Sequence, residues 1–407
     1  MFPTEAKVVV IGGGVLGTSA AFQLADDGNE GVVLLDRGPI ASGTTPFAAG
    51  QTGYLTNNRE WLPFTAWSLE YFENFEARTG YPIDFRQTGS LRLALTEKYL
   101  PDLEARIEAG REYGEEFEML SAEQATKLAP GLEAGKAKGI LMVPRDGYVD
   151  PKSVAVAFAA AAQDKGVSIH TNTAVRDVLL NDGKVKAVVT DSGTIQTDWV
   201  VLAAGAWNRQ FAQRFGVDIK TVPVRHQAFV TAPIAGVSPE QPIVRITEPQ
   251  IYVRHEGGGL LVGGYGYRPL SFDMNDFPDD FEIPALASDK IYIDQLHQAA
   301  TEFFPALKDA VIIQERRGLP TIAPDAKLVV SEIPEAEGLI VASGCMVGGI
   351  SKSPGVGRVI ADIVGGKESS LPAHTLRADR FTDEYNDDTR LRSKCEQVYS
   401  TLYLDVI

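Results

Sequence analysis

Glycines and one acid near the amino terminus are the first residues whose types and spacing suit a chemical task. Gly12, Gly14 and Gly17 lie close together, and Asp36 follows about twenty residues later. A diphosphate binds against backbone N–H groups at the amino terminus of a helix, where a Cβ would block its approach. We predict that Gly12 permits a tight turn, that Gly14 lets the backbone approach the diphosphate and that Gly17 lets a helix pack on a strand. We expect Asp36 to accept hydrogen bonds from the ribose of a dinucleotide.

A strand, a helix and a second strand must position these residues. The apolar run at 7–11 predicts the first strand, and the apolar run at 32–35 predicts the second. Helical spacing predicts a helix at 15–24 between them. Together they form a βαβ unit that ends at the acid, as a dinucleotide-binding site requires.

Two later segments show the same alternation of helix and strand. Asp150 is suited to cap a helix that begins at Pro151, is rich in alanine and stops at Gly166. Near the carboxyl end, "GLIVASG" predicts a strand and "SPGVGRVIADIVGG" predicts the helix that follows it. We assign both segments to the same nucleotide-binding domain.

The residues after Asp36 favour a flavin over a nicotinamide cofactor. The chain continues "RGPIASGTTPFAAGQTG", which is small and hydroxylated where a nicotinamide enzyme would return to its next strand and helix. A second nucleotide-binding half of regularly alternating strands and helices is missing from the sequence. The sequence therefore predicts FAD.

Length and composition exclude several classes of protein. A chain of 407 residues is long enough for two domains. Its net charge of -16 argues against a nucleic-acid partner, because phosphate binding needs clustered Lys and Arg. Two cysteines, Cys345 and Cys395, cannot form a disulfide framework, and no metal-ligand spacing exists. No apolar run suits a membrane span and no signal peptide precedes the first strand, so we expect a cytoplasmic location.

Between the nucleotide-binding segments lie stretches that mix alternating strands with charged helices. We predict that residues 84–144 and 222–317 form one inserted substrate-binding domain, that residues 1–83, 145–221 and 318–381 form a discontinuous FAD-binding domain, and that residues 382–407 form a C-terminal tail. The predicted fold class is α/β, with a Rossmann-like FAD-binding domain and an inserted antiparallel β-sheet domain. The apolar end of the tail packs on the body or on a second subunit, or it frays.

Several segments in a fixed order resemble the glycine/sarcosine/D-amino acid oxidase (DAO) family of FAD-dependent oxidoreductases. They are "VVVIGGGVLGTSAAFQLA", "LLDRG" with "SGTTPFAAG", "GYVDP", "VVLAAGAW", "ERRGLPTIAPD" and "ASGCMVGGISKSPGVGRVIADIVGG". The resemblance extends to about Phe381 and implies that flavin N5 takes a hydride from the carbon next to a substrate nitrogen, leaving an imine that water hydrolyses. We therefore assign no catalytic residue and no metal ligand, and the five histidines are expected to be scattered without partners.

The resemblance also implies which residues contact the cofactor. They are Gly12, Gly14, Val15, Leu16, Gly17, Asp36, Arg37, Ser42, Thr44, Thr45, Ala49, Gly50, Gln51, Thr52, Val175, Ala204, Gly205, Trp207, Gly344, Gly348, Gly349, Ile350 and Ser351. Among these, residues 42–45 resemble diphosphate and ribityl contacts, and residues 49–52 lie beside the isoalloxazine. Val175 meets the adenine, and Trp207 closes the cofactor slot. The loop at 344–351 presents amides to the flavin pyrimidine, or it is an ordinary glycine-rich turn.

One departure from the family concerns the substrate. Pro320, in "GLPTIAPD", stands where members that act on free α-amino acids usually carry an arginine that holds the substrate carboxylate. Arg316, Arg317 or Lys352 could replace that arginine, although a surface or structural charge explains each of them as well. We therefore expect a secondary or tertiary amine or an N-methylated amino acid of the sarcosine or dimethylglycine type.

Further departures concern the flavin. Phe47 and Gly318 stand where relatives carry the His or the Cys that tethers the flavin, so we expect non-covalent FAD. Cys345 is either a thioether candidate or a buried thiol. Leu261 replaces a lysine that helps the reduced flavin of sarcosine oxidases to react with oxygen.

Aromatic residues and one lysine are the candidates for the substrate pocket. They are Tyr252, Tyr265, Lys352 and Tyr54, because an aromatic wall suits the methyl and methylene groups of an amine. Core packing is the alternative for the tyrosines, and Tyr267 could face inward in place of Tyr265.

The predicted function is FAD-dependent oxidation of the C–N bond of a small amine or amino acid, with O2 as the acceptor. The alternatives are a dehydrogenase, or a subunit of a dehydrogenase complex, that passes electrons to another acceptor, and a non-catalytic FAD-binding regulatory protein. The protein is expected to act alone, as a homo-oligomer or as a complex subunit.

Overall fold

The computed structural model describes residues 2–54 and 59–404. The helices are α1 (Val15–Asp26), α2 (Leu62–Thr79), α3 (Leu100–Glu112), α4 (Ala122–Leu128), α5 (Pro151–Asp164), α6 (Asn208–Gln213), α7 (Lys290–Thr301), α8 (Gly349–Val364) and α9 (Asp388–Ser400). The strands are β1 (Val8–Ile11), β2 (Val32–Leu35), β3 (Gln51–Thr52), β4 (Ser90–Ala94), β5 (Glu118–Met119), β6 (Gly139–Val143), β7 (Gly147–Tyr148), β8 (Ser168–His170), β9 (Val175–Asn181), β10 (Lys184–Thr190), β11 (Gly193–Gln196), β12 (Trp199–Leu202), β13 (Val222–Pro223), β14 (His226–Thr231), β15 (Ile243–Ile246), β16 (Ile251–Glu256), β17 (Gly259–Gly264), β18 (Ile312–Gly318), β19 (Thr321–Ile322), β20 (Val329–Ile333) and β21 (Ala336–Ser343).

The first of two large sheets is built around the amino-terminal βαβ unit. Its parallel strands follow one another in the order β8, β2, β1, β12 and β21. Every residue of β1 and β2 is buried, as expected of parallel strands that are covered on both faces. Because these strands are parallel, Ile11, Leu35, Leu202 and Ser343 end at the same edge, where open α/β sheets bind ligands. The structure confirms the predicted Rossmann-like α/β fold.

Three helices cover one face of this sheet, with α1 packed between α5 and α8. Small residues allow the close packing: a Cβ on Gly357 of α8 would lie only 2.6 Å from the hydroxyl of Ser19 on α1. Helix α5 begins as predicted, since the carboxylate of Asp150 accepts a hydrogen bond from the amide of Ser153 at 2.7 Å.

The second sheet takes strands from both of the stretches predicted for the substrate-binding domain. Its order is β18, β14, β17, β16, β15, β4, β6 and β5. The sheet is antiparallel as predicted except at one pair, because β15 and β4 run parallel from Ile243 beside Ser90 to Ile246 beside Leu93. A long excursion of the chain separates these two strands, so no hairpin constrains their direction. The domain boundaries stay a prediction.

The two faces of the second sheet differ in chemistry. The outer face is apolar and packs on α7, with Val244, Val253 and Leu296 in one buried cluster. Residues that pair across strands point to the same face, so Arg92, Arg245 and Tyr252, which are register partners, share the opposite one. We call this opposite face the inner face. The loop at 49–52 contacts it.

The described part of the C-terminal tail, residues 382–404, packs on the body of the protein, which is one of the three predicted alternatives. Leu391, Cys395, Tyr399 and Tyr403 are buried in one cluster with Tyr252 of the inner face. The side chain of Gln250 fixes this segment, since its Nε2 donates to the carbonyl of Ser400 at 2.6 Å and its Oε1 accepts from the amide of Tyr403 at 3.2 Å.

Within residues 2–54 and 59–404, no helix combines the length and the apolar character that a membrane crossing demands.

Replacing Leu391 by alanine should lower the free energy of unfolding by about 2–4 kcal/mol, because it leaves a cavity under α9. Leu391 is fully buried, whereas Ser393 on the same helix is exposed. Urea unfolding measures the change, and Ser393→Ala is the control, with an expected change below about 0.5 kcal/mol. Equal effects of the two substitutions would contradict the packing of α9 on the body.

Candidate cofactor and substrate site

The glycine turn between β1 and α1 owes its shape to the absence of side chains. Gly12 has a φ of +115°, and a Cβ there would collide with the carbonyl oxygen of Ala203. A Cβ on Gly17 would collide with the carbonyl oxygen of Gly12. Gly14 differs, because a Cβ there would meet only the hydroxyl of Thr45, at 3.3 Å. Gly12 and Gly17 therefore close the turn, whereas Gly14 leaves space beside it.

Helix α1 presents an uncapped amino terminus to that space. Gly14 is its N-cap residue and provides no side-chain cap, and the first turn contains no acidic residue. The amide of Val15 donates to the hydroxyl of Thr45 at 3.1 Å. Leu16 follows in the same turn, so the positive end of the helix dipole faces the space beside Gly14.

Asp36 lies at the end of β2, as predicted, and closes the turn from the other side. Its Oδ2 accepts from the amide of Gly13 at 2.5 Å, and its Oδ1 accepts from the amide of Gly38 at 2.7 Å. Burial raises the pKa of this carboxyl, while the two amides act to lower it. Each carboxylate oxygen keeps a second lone pair with which to accept a ribose hydroxyl.

Arg37 and Trp207 stack on each other next to Asp36. The guanidinium carbon of Arg37 lies 4.1 Å from the centroid of the Trp207 ring. Arg37 also donates to the carbonyls of Asp279 and Phe281 at 3.0 and 2.6 Å. The arginine thus holds the segment at 279–281 over this edge of the sheet.

The hydroxylated loop after Asp36 is tied to two parts of the fold. Thr45 bonds to α1, and the hydroxyl of Thr44 accepts from the amide of Leu319 at 3.1 Å, whereas Ser42 is exposed. Val175 begins β9, two residues after Thr173, whose amide donates to the carbonyl of Asp36 at 2.8 Å. Ala204 and Gly205 directly follow β12 at the same sheet edge.

The loop at 49–52 joins this edge to the inner face of the second sheet. Arg254 donates to the carbonyl of Ala49 at 2.6 Å, and Arg245 donates to the side chain of Gln51 at 3.0 Å. Gly50 has a φ of +70°, and a Cβ there would collide with the carbonyl oxygen of Val149. Thr52 is buried, and its hydroxyl has no hydrogen-bond partner within the described residues.

The loop between β21 and α8 is strained. Gly344 has a φ of +64°, and Met346 and Val347 have φ values of +48° and +52°. Positive φ at a non-glycine residue costs about 1–3 kcal/mol, and a β-branched residue such as Val347 is an outlier there. Thr321 holds the loop, since its hydroxyl accepts from the amide of Gly344 at 3.0 Å. Such strain is typical of ligand-binding loops.

Helix α8 starts directly after this loop. Gly348 is its N-cap residue without a side-chain cap, and the helix continues with Gly349, Ile350 and Ser351. Uncapped helix amino termini therefore stand after β1 and after β21, with an unpartnered hydroxyl at Thr52. Open space beside Gly14, two helix amino termini whose N-cap glycines provide no side-chain cap, and a buried Thr52 hydroxyl without a partner among the described residues fit an extended dinucleotide such as FAD.

Tyr252 and Tyr265 lie together on the inner face. They are 1% and 7% exposed, and their ring centroids are 5.7 Å apart. Tyr267 lies on the other side of the sheet, where its hydroxyl donates to the carbonyl of Pro249 and its ring packs on Tyr292. Of the two residues left open by the sequence, Tyr265 therefore faces inward.

His226 is a site residue that the sequence did not reveal, and the expectation of histidines without partners is wrong here. Its Nε2 lies 2.8 Å from the hydroxyl of Tyr252, and its Nδ1 lies 2.8 Å from the hydroxyl of Tyr399. Burial lowers the pKa of His226 to about 4. A neutral imidazole has one donor and one acceptor, so it accepts a hydrogen bond from one tyrosine hydroxyl and donates one to the other. Both partners are distant in sequence, and no local pattern marks the contact.

Tyr54 and Lys352 do not join this tyrosine cluster. Tyr54 packs in a separate core against Phe117, and burial raises its pKa to about 12. The Nζ of Lys352 lies 5.8 Å from the Trp61 ring centroid, and burial lowers the pKa of this lysine. Within the described residues no carboxylate forms an ion pair with Lys352.

Of the other two candidates for a carboxylate clamp, one is ion-paired and the other points away from the inner face. Arg316 pairs with Glu256 at 2.5 Å. Arg317 is in register with Gln227, which bonds to the start of α7, so Arg317 points to the outer face. The structure therefore gives Arg316 and Arg317 no free role at the inner face.

Comparisons with known proteins agree with this geometry. The sequence model of the family described as FAD dependent oxidoreductase (DAO) matches residues 7–363. The chain is 28% identical over 401 residues to 4-methylaminobutanoate oxidase (formaldehyde-forming) of Paenarthrobacter nicotinovorans, which covers 98% of this chain and 48% of that protein. It is 29% identical to the mitochondrial pyruvate dehydrogenase phosphatase regulatory subunit of Mus musculus, with 98% and 46% covered. The chain thus spans about half the length of these two curated relatives.

The solved structure of L-proline dehydrogenase from P. horikoshii superposes with a TM-score of 0.84 at 25% identity, covering 93% of this chain and 98% of that one.

Substituting Gly14 with alanine should weaken FAD binding by about tenfold or more, because a Cβ fills the space beside the helix terminus. Folding should change little, since Gly14 has an ordinary φ of -74°. Titration of the apoprotein with FAD measures the affinity. Gly135→Ala is the control, because a Cβ there meets nothing within 4 Å. Unchanged FAD affinity in Gly14→Ala would contradict the assigned role of the turn.

Lowering the pH from 6.5 to about 4 should reduce the free energy of unfolding through His226. The unfolded chain binds a proton there at a pKa of about 6.5, whereas the native protein resists it until about pH 4, so the stability present above pH 6.5 is lost as the pH falls. Urea unfolding at a series of pH values should show a flatter profile for His226→Gln. The control His374→Gln, whose side chain is 74% exposed, should keep the wild-type profile.

Proposed function

The chain belongs to the FAD dependent oxidoreductase (DAO) family, and we propose that it binds FAD without a covalent bond and oxidises the C–N bond of an amine or amino acid. The observation that carries this proposal is the loop at 49–52, which links the glycine turn to the tyrosine cluster. Arg254 and Arg245 hold that loop against the inner face. A cofactor lying along the loop therefore has one end at the turn and the other at Tyr252.

The substrate class follows from what surrounds Tyr252. Pro320 offers no cation for the carboxylate of a free α-amino acid. Tyr252, Tyr265 and the neutral His226 form an aromatic wall suited to the methyl groups of an N-methylated amine. One relative is named for a methylated amino acid, 4-methylaminobutanoate. We propose a secondary or tertiary amine, or an N-methylated amino acid.

The residues of the chain bind and orient the substrate and exclude water from it. FAD, when bound, supplies the acceptor for the hydride taken from the carbon bonded to nitrogen. His226 fixes the hydroxyl of Tyr252, and the missing side chain of Gly263 makes room for that hydroxyl, since a Cβ there would collide with it. The low exposure of Tyr252 and Tyr265 keeps water from this wall.

The acceptor that reoxidises the flavin is proposed to be O2, with a partner protein or another small acceptor as the alternative. Leu261 is buried on the inner face and offers no charge there. A regulatory protein that binds FAD without turnover is the second candidate, favoured by the similarity to a phosphatase regulatory subunit. We propose a cytoplasmic location.

Anaerobic mixing of the FAD-loaded protein with N-methylated amines should bleach the oxidised-flavin absorbance. The panel contains sarcosine, N,N-dimethylglycine, L-proline and D-alanine, and we expect the N-methylated compounds to react fastest because the wall of Tyr252 packs their methyl groups. Hydrogen peroxide on readmission of air would identify O2 as the acceptor. Acid precipitation should release the flavin into solution, since no covalent bond is expected.

Two results would contradict the proposal. A protein that takes up FAD but is bleached by none of these amines would support the regulatory alternative. A protein that stays colourless after incubation with FAD would exclude both.

A further inference from the structure

The inner face of the second sheet carries several arginines, and three of them have carboxylate partners. Arg245 pairs with Asp146 at 2.7 Å. Arg254 and Arg316 share Glu256 at 2.6 and 2.5 Å. Each of these buried or nearly buried cations thus contacts a carboxylate, and Arg254 and Arg316 share one carboxylate between them.

Within residues 2–54 and 59–404, Arg92 has no such partner. It lies on β4 in register with Arg245. Its Nη1 atom is buried, and no atom of the described residues accepts a hydrogen bond from it. The guanidinium carbon lies 5.1 Å from the ring centroid of Tyr403, in the segment after α9. The nearby carboxylate of Asp102 pairs with Arg106 at 2.8 Å.

Among the described residues, no carboxylate therefore compensates the charge on Arg92. Burial, with the neighbouring charges of Arg106 and Arg245, lowers the pKa of Arg92 to about 9. This pKa still lies above neutral pH, so the side chain stays charged. Arg92 is partly buried, so its charge carries a desolvation cost that no ion pair with a described residue offsets, and an anion placed against it recovers part of that cost. The arrangement calls for an anionic ligand.

We propose that Arg92 binds the carboxylate of the amine substrate and that Tyr403 forms the wall of this subsite. The proposal rests on the proposed function. It predicts that the substrate carries a carboxylate at the end that lies against Arg92. The planar guanidinium offers the paired donors that match a carboxylate. It also gives the chain a carboxylate-binding cation in place of the one that Pro320 cannot supply.

The position of Arg92 separates the two ends of the substrate. Neighbouring strands lie about 4.8 Å apart, and β15 lies between β4 and β16, so the backbone of Arg92 is about 10 Å from that of Tyr252. The amine end then lies at Tyr252 and His226, and the carboxylate end lies at Arg92. Arg245, between them, is already neutralised by Asp146.

The C-terminal segment takes part in this subsite. Tyr403 is 8% exposed, and its ring centroid lies 5.0 Å from that of Tyr265. Its ring thus bridges the predicted pocket residue and Arg92. Because Gln250 fixes the backbone of Tyr403, the wall is built into the fold.

Isothermal titration of methoxyacetate into the FAD-loaded protein tests the proposal. Methoxyacetate carries a carboxylate but no oxidisable amine, so the measurement needs no turnover. Arg92→Leu should weaken its binding by about 100-fold, and Arg92→Lys by about tenfold, because lysine keeps the charge but loses the paired donors. The matched control is Arg316→Leu, which removes a compensated cation from the same face and should change the affinity by less than about twofold.

Melting temperatures separate a binding role from a structural one. Arg92→Leu should melt no lower than the wild-type protein, because it removes a partly buried charge that forms no ion pair with the described residues. Arg316→Leu should melt about 2–4 °C lower, because it breaks an ion pair. An Arg92→Leu protein that melts as low as Arg316→Leu would make Arg92 a structural residue and overturn the proposal.

Three further results would overturn it. They are an affinity of Arg92→Leu for methoxyacetate equal to that of the wild type, an equal loss in Arg316→Leu, and no binding by the wild-type protein. If candidate amines fail to bleach the flavin while methoxyacetate still binds through Arg92, the proposed function is wrong and the carboxylate subsite stands.

Discussion

The compensation of buried charge on the inner face of the second sheet is the constraint on which the site depends. Arg245 and Arg254 are buried cations, and each needs a carboxylate to be tolerated there. Asp146 and Glu256 meet that need and leave other donors of the two arginines free to bind the loop at 49–52. The same ion pairs that make the face stable therefore bind the predicted flavin loop to it.

The neighbouring tyrosine cluster carries no net charge. His226 sits between Tyr252 and Tyr399 and is kept uncharged by burial. Two oriented hydroxyls without a net charge provide a polar but dry wall, in which an amine encounters no competing cation. The proposed carboxylate subsite at Arg92 lies beside this neutral wall, so the proposed substrate site has two chemically different ends.

Glycine turns and strained loops complete the site at the edge of the parallel sheet. The turn after β1 needs Gly12 and Gly17 because Cβ atoms would collide with carbonyl oxygens. After β21, Met346 and Val347 adopt positive φ although neither is a glycine. The hydrogen bonds of Thr321 hold that conformation. Backbone amides are thus presented at two points of the same sheet edge. After β1 they are presented because glycines lack side chains, and after β21 because the backbone is held in a strained conformation.

The sequence by itself determined the parts of this protein whose signals are local. The turn of Gly12, Gly14 and Gly17, the acid at Asp36 and the cap of α5 by Asp150 each lie within one short segment, and their spacing predicted the Rossmann-like sheet. Only the tertiary structure decided the rest. The His226 contacts with Tyr252 and Tyr399, the parallel pairing of β15 with β4 and the isolation of Arg92 join residues far apart in the chain. Such contacts arise from packing between elements. The local sequence around a side chain does not show which residues it will contact or whether its charge will have a partner.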